Sequence, residues 1–351
     1  MKTKAIWAVV ALAWAIGAPA MAANPLFADQ TPLRITLTGP FRKLTHDAKY
    51  SLKPYPATVT VTDEAGAAQT IPIQVRARGI TRRKYYCELP PIYLLFDKAA
   101  VRGSLFHGQR RLKLVAFCQR APDFEQRVRL EYLIYKLYNL ITPMSFRVRA
   151  AEVTYRYSPA DRGFTRFGYL IEDIRSVAGR NDREQVKGPS RVIAMAQLDP
   201  HATTRVAMLE YMIGNTDWEF LAASAGETCC HNMRLLAAPD AKPATARDVV
   251  PVPYDFDLTG FVDSPYALPQ LGFPIEKVTE RFFRGYCAMN GEIPSVAEEY
   301  LARRADMKAL IDHEPGISAS VRDTTERFMD GFFGALTDPA RLQSQLIRHC
   351  R

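Results

Sequence analysis

IGNTDWEF (residues 213–220), His231-Asn232 and VPYDFDLTG (residues 252–260) are the stretches on which the reading of this chain turns. An apolar helical run ends at Gly214, a residue suited to a left-handed C-cap, and the polar Asn215-Thr216-Asp217 follows directly. Asp255 and Asp257 bracket Phe256 inside an otherwise apolar run. Burying carboxylates there costs free energy unless a cation or hydrogen bonds compensate. Asn and Asp also favour turns, because they bond their own backbone. Singly, Asp217 and Asn232 therefore read as turn residues; together with Asp255 and Asp257 they read as oxygen-bearing groups gathered by loops.

Working outward, residues 203–213 predict a helix with Val206, Leu209 and Ile213 on one face. Further helices are expected over 278–283, 295–312, 321–336 and 339–348, the last opened by Asp338-Pro339 as N-cap and N1. Upstream, RITLTG, ATVTVTD, IPIQVRARG, PIYLLF, RLKLVAF, EVTYRY and FGYLIEDI are short β-branched or alternating runs separated by Pro and Gly, the signature of antiparallel strands. One helix interrupts them across 123–141, where Leu130, Leu133, Ile134, Leu137 and Ile141 keep helical spacing. The chain is strand-rich first and helical second.

A hard divalent cation carrying phosphates needs oxygen ligands, and phosphoryl transfer needs one further carboxylate near the acceptor proton. The order Asp217, Asn232, Asp255 suits that chemistry. Its other half requires a lysine on a strand and a glutamate on the next helix. Lys113 lies in RLKLVAF, immediately before the long helix, and Glu131 lies within that helix. Each alone is an ordinary solvated residue; their joint order is what favours a functional reading.

The Asn-Thr-Asp run, the later Asn and the Tyr-Asp pair resemble the motif of HipA-type kinases. The strand ending in RARGITR, the helix with a charged start and YLIED resemble the CotH family of spore-coat kinase-like proteins. The resemblance covers residues 71–267. It implies an α+β, two-lobed protein-kinase-like fold, with a strand-rich N-lobe over 31–175 and a mostly helical C-lobe over 176–351. It also implies roles: Asp217 as catalytic base, Asn232 and Asp255 as ligands of Mg or Mn, and Asp257 as a second carboxylate. Lys113 and its partner Glu131 would position the phosphates of ATP. Arg78 and Arg82 would lie in the loop above them, and Glu172 where a hinge meets the adenine. The implied activity is transfer of phosphate to a hydroxyl of a protein or small molecule. The alternative is a catalytically silent envelope protein used for binding or assembly. The chain departs from the pattern in its 15-residue step from Asp217 to Asn232, in Pro90-Pro91-Ile92 where the family carries lysines, and in having no G-x-G-x-x-G loop.

Lys2 and Lys4, an apolar run over 5–18 and Ala20-Met21-Ala22 read as a secretory signal peptide over 1–22. The mature chain is then expected to be periplasmic or secreted, without a transmembrane segment. Without those two lysines the formal charge falls from +9 to +7, a modest surplus that suits phosphate-rich ligands. Its densest cluster is Arg76, Arg78, Arg82, Arg83 and Lys84. No module interleaving basic and aromatic residues argues for nucleic acid. Six cysteines in an oxidising compartment suggest disulfides. Cys87 and Cys118 flank neighbouring strands and are expected to pair, and Cys229 or Cys230 could reach Cys287. Cys229-Cys230-His231 as a zinc cluster lacks the usual spacing.

Overall fold

Alternation decides the first half. In the computed structural model, which describes residues 24–186, 192–223 and 229–351, β1 (Leu33–Thr38) buries Leu33, Ile35 and Leu37 and turns the residues between them outward. After the short α1 (Pro25–Ala28) and β1 come α2 (Phe41–Ala48), β2 (Tyr55–Thr62), β3 (Ala68–Ala77), a single π-helical turn at Arg82–Tyr86, β4 (Ile92–Phe96) and β5 (Arg111–Val115). The long α3 (Pro122–Ile141), β6 (Val148–Arg156) and β7 (Phe164–Ile171) complete this half. The expected signal peptide lies outside the described residues.

These strands close into a seven-stranded barrel in the order β1-β2-β3-β4-β5-β7-β6. Six of its contacts are antiparallel; the closing one is parallel, pairing Leu33 with Ala151 through Thr38 with Arg156. Ile35, Val59, Val75, Leu94, Leu112, Leu114 and Val153 fill its interior. The two-lobed kinase-like fold expected from the sequence is thereby corrected. The α+β class stands, but the strands form a closed mixed barrel. Local alternation is the same for an open sheet and a barrel. Closure depends on β1 meeting β6 across every element between them, and closure removes the edges that an open sheet leaves unpaired.

α3 lies on the outer face of β7, with Tyr132 against Phe167 and Tyr169 at ring distances of 5.8 and 5.6 Å. That face is shared with the second half, in one core that includes Val148, Tyr169, Ile171, Leu209 and Phe332. The second half contains α4 (Ile174–Arg180), β8 (Glu184–Gln185), α5 (Pro200–Ile213), β9 (Met233–Ala237) and β10 (Val250–Pro253), then α6 (Ile293–Ala302), α7 (Arg304–Asp312), α8 (Ala319–Thr337) and α9 (Pro339–Gln345). Asp338 caps α9 through the Ala340 N–H at 2.9 Å. Residues 278–283, expected as helix, are irregular. The Val278 carbonyl is packed against Gly214 and Gly260, where a Cβ on Gly260 would come within 2.3 Å of it.

Cys87 pairs with Cys118, across the β4–β5 hairpin as expected. Cys287 pairs with Cys350, not with Cys229 or Cys230, which are joined to each other. Among the described residues no helix is long and apolar enough to cross a membrane. Three disulfides are compatible with an exported protein.

Candidate active site

Two tight backbone junctions bring the opening stretches together. The N–H groups of Gly260 and Phe261 donate to the carbonyls of Gly214 and Ile213 at 3.0 and 2.9 Å. The loop after Asp257 is thus fastened to the end of α5, immediately before Asn215-Thr216-Asp217. Gly214 supplies the left-handed turn there, at φ +65°. On the other side, Met233 opposite Pro253 starts the β9–β10 pairing, and the Tyr254 N–H donates to the Asn232 carbonyl at 3.0 Å. Asn232 and Asp255 therefore leave one end of the same small sheet. Both hold left-handed backbone, φ +53° and +71°, which Asn and Asp tolerate better than most residues.

Asp255, Asp257 and Glu131 form the acidic centre, each offering a carboxylate oxygen within 4.8 Å of the others. Arg82 from the π-helical turn reaches all three. Its Nη1 lies 3.2 Å from Glu131 Oε2, its Nη2 3.4 Å from Asp255 Oδ1 and its Nε 3.1 Å from Asp257 Oδ2. Arg82, Glu131 and Asp257 are buried; Asp255 is half-buried. Burial pushes the Asp257 carboxyl up to about 7; Asp255 and Glu131 add to that, while Arg82 and the Tyr266 hydroxyl oppose it. At Asp255 burial acts in the same direction, but Arg82, Arg78, Lys113 and His231 outweigh it and hold the carboxyl below its ordinary value.

The cationic flank comes from the barrel. On β5, Leu112 and Leu114 point inward and Lys113 outward, where its ammonium stands 4.1 Å from the centre of the Tyr254 ring. Burial pushes Lys113 down to about 7; Arg78, Arg234 and Arg111 help, and Asp255 opposes. Arg78, just beyond β3, keeps a buried Nε with no hydrogen-bond partner among the described residues. Arg234 shares the Tyr254 ring from β9, at 4.7 Å.

Asp217 is held from several sides. Its own N–H donates to Asn215 Oδ1 at 2.9 Å. Its carboxylate meets His231 Nε2 and Gln270 Nε2, both at 2.9 Å, and Asn232 Nδ2 at 3.1 Å. Behind it, the buried Glu210 accepts from Asn215 Nδ2 at 2.8 Å. Burial pushes Glu210 up to about 8, with Asn215 and Arg284 opposing and Asp217 adding repulsion. The folded state thus binds a proton that the unfolded chain releases near pH ~4.3. Stability from this group falls as pH rises from there to about 8. Glu210→Gln keeps an acceptor oxygen without the charge. It is expected to gain on the order of 3 kcal/mol at pH 9 and nothing at pH 4, measured by urea unfolding at both pH values.

The structure gathers Arg78, Arg82, Lys113, Glu131, Asp255 and Asp257 around one centre, with Asp217 and Asn232 on its flank. The cation that meets Glu131 is Arg82, whereas Lys113 was the expected partner. Glu172, expected at a hinge, has its carboxylate committed to Arg180 at 3.1 Å and to the Arg147 N–H at 3.0 Å. Sequence reasoning missed Gln270 and Arg234, and weighed His231 only as a zinc-cluster member. Of these, His231 alone, adjoining Asn232, carried a signal that could have placed it here.

Fold and site together define an α+β protein in which a barrel and a helical half meet over a buried carboxylate cluster flanked by cations. The chain matches no protein-family model and no curated protein.

Proposed function

We propose that this protein is an exported phosphotransferase that takes ATP with Mg or Mn and passes the terminal phosphoryl group to a hydroxyl. One observation carries the reading. At Asp255 a carboxylate cluster lies within electrostatic reach of Lys113 and Arg78, and Arg78 keeps a buried donor without a partner among the described residues. Carboxylates suit a hard cation, and a lysine beside an arginine suits phosphate oxygens. The resemblance of residues 71–267 to CotH- and HipA-type kinases supports the reading from the sequence. The barrel lends it none, so it rests on the site.

Asp255, Asp257 and the Asn232 amide oxygen would hold the metal, which when bound neutralises phosphate charge. Lys113 and Arg78 would hold the phosphates. The acceptor oxygen bonds to the terminal phosphorus, the bridging P–O bond breaks to release ADP, and the hydroxyl proton passes to Asp217. His231 and Gln270 keep the Asp217 carboxylate oriented for that role. The purified chain, given ATP labelled on its terminal phosphate and Mn²⁺, is expected to label a protein or small-molecule hydroxyl. Absence of label in every acceptor fraction, with ATP intact, contradicts the proposal.

The second reading, a silent binding protein, is favoured by Arg82. Its guanidinium already supplies positive charge among Glu131, Asp255 and Asp257.

A further inference from the structure

Eight large apolar side chains are exposed among the described residues, and seven of them belong to three segments joined by direct contacts. Tyr50 and Leu52 follow α2. Ile80 precedes the π-helical turn and Tyr85 and Tyr86 end it, and Leu268 and Leu271 follow Tyr266. Arg83 ties the first two segments together, donating to the Ala48 carbonyl through Nη1 and to the Gly79 carbonyl through Nε at 2.7 Å. Tyr86 stacks on Tyr266 at 4.9 Å and so ties the second to the third. Gln270, between Leu268 and Leu271, donates to Asp217 at 2.9 Å, which links this face to the flank of the site.

Exposed patches of this kind mark interaction surfaces, and two features specify the partner. First, several of the apolar groups are projecting tips: Leu271 is 99% and Tyr50 88% exposed. A protein interface packs its anchors into complementary pockets, whereas tips of Tyr, Leu and Ile suit a fluid lipid interface, where tyrosine rings favour the headgroup level. Second, the charge beside them is basic. Lys49 and Lys53 are exposed and Lys84 half-buried; of the carboxylates nearby, Asp47 pairs with Lys43 and Glu88 with Arg120, and Asp263 is exposed. Lysines behind apolar tips match an anionic bilayer surface.

We infer that this face docks the protein peripherally on anionic phospholipid, with the Gln270–Asp217 flank of the site on the docked side. The inference does not rest on the phosphotransfer reading, and its test involves no nucleotide. The purified exported chain is floated with vesicles of phosphatidylcholine alone or of equimolar phosphatidylcholine and phosphatidylglycerol. Binding to the anionic vesicles only is expected. Tyr85→Ser, Leu268→Ser and Leu271→Ser combined should lower partitioning about tenfold or more; so should Lys49→Glu and Lys53→Glu combined. Thermal melts should match wild type, since the altered side chains lie at the surface. No binding, equal binding to both vesicles, or binding unchanged by either set overturns the inference. So does a concentration-dependent dimer that the apolar set abolishes, because that outcome assigns the face to a second copy.

Discussion

Asp255→Asn is expected to lower phosphoryl transfer by ~10²–10³-fold while leaving the protein folded. Asparagine is the informative replacement because residue 255 holds φ +71°, a conformation Asn adopts readily. The Asp255 N–H, bonded to the Tyr135 hydroxyl at 3.1 Å, is untouched. What changes is charge. Asp255 is the carboxylate that faces Arg82, Arg78, Lys113 and His231 together, so the amide removes the anion on which both halves of the site converge. Lys113 loses its opposing charge as well, and its pKa should fall further below about 7. Single-turnover transfer from labelled ATP measures the effect. A rate within a few-fold of wild type would remove Asp255 from the chemistry.

Arg82→Ala carries the largest expected effect on stability. It leaves Glu131, Asp255 and Asp257 without the guanidinium that meets all three. Breaking a buried ion pair from one side costs about 3–5 kcal/mol, and that loss is expected at pH 8 in the presence of a chelator. The deficit should depend on pH. Asp257 already sits at about 7 with Arg82 opposing the rise, so without Arg82 it should titrate higher still. A carboxyl raised in the folded state makes stability fall as pH rises through the window from ~3.9 upward past about 7. The deficit of the variant therefore shrinks on acidification to pH 5, where Asp257 is protonated. Mn²⁺ should restore part of it at pH 8, since a cation bound only by the folded state stabilises by mass action. Urea unfolding at pH 5 and 8, with chelator or Mn²⁺, tests this. A deficit that is the same in all conditions would mean that the cluster answers to neither protons nor metal. Equal stabilisation of wild type by Mn²⁺ would mean that Arg82 yields its place readily, whereas stabilisation of the variant alone would favour the silent reading.

How far the sequence reveals this arrangement depends on the range of the interactions involved. Alternation in RITLTG and IPIQVRARG marks strands because burial on one face imposes a period of two. Nothing local announces that β1 will lie parallel to β6, and that pairing is what turns a sheet into a barrel. The end of α5 is legible because Gly214 meets a backbone requirement within its own turn. Residues 278–283 mislead because tertiary contacts hold them as an irregular segment: Val278 and Phe283 are buried, the Val278 carbonyl lies against Gly214 and Gly260, and Arg281 Nε donates to the Met212 carbonyl at 3.1 Å. Cys87–Cys118 follows from hairpin neighbours, whereas Cys287–Cys350 joins segments 63 residues apart.

The site divides in the same way. Asp217, Asn232, Asp255 and Asp257 stand out as polar residues in apolar or turn contexts. Glu131 stands out only through its order after Lys113, because a glutamate within a helix reads as solvated until tertiary packing buries it. Which cation meets it is not readable. Lys113 and Arg82 both precede α3, and the choice falls to Arg82 because the turn after β3 folds back over the cluster. The partner of Glu172 is equally unreadable: its carboxylate meets Arg180, from the following helix.

On this reading the centre at Asp255 accepts a divalent metal and a nucleotide together. Calorimetric titration of the chain with ATP, in the presence and absence of Mn²⁺, tests it most directly. Saturable binding that requires both components in wild type and is lost in Asp255→Asn is the predicted result. No binding in wild type, or equal binding in the variant, would contradict the account.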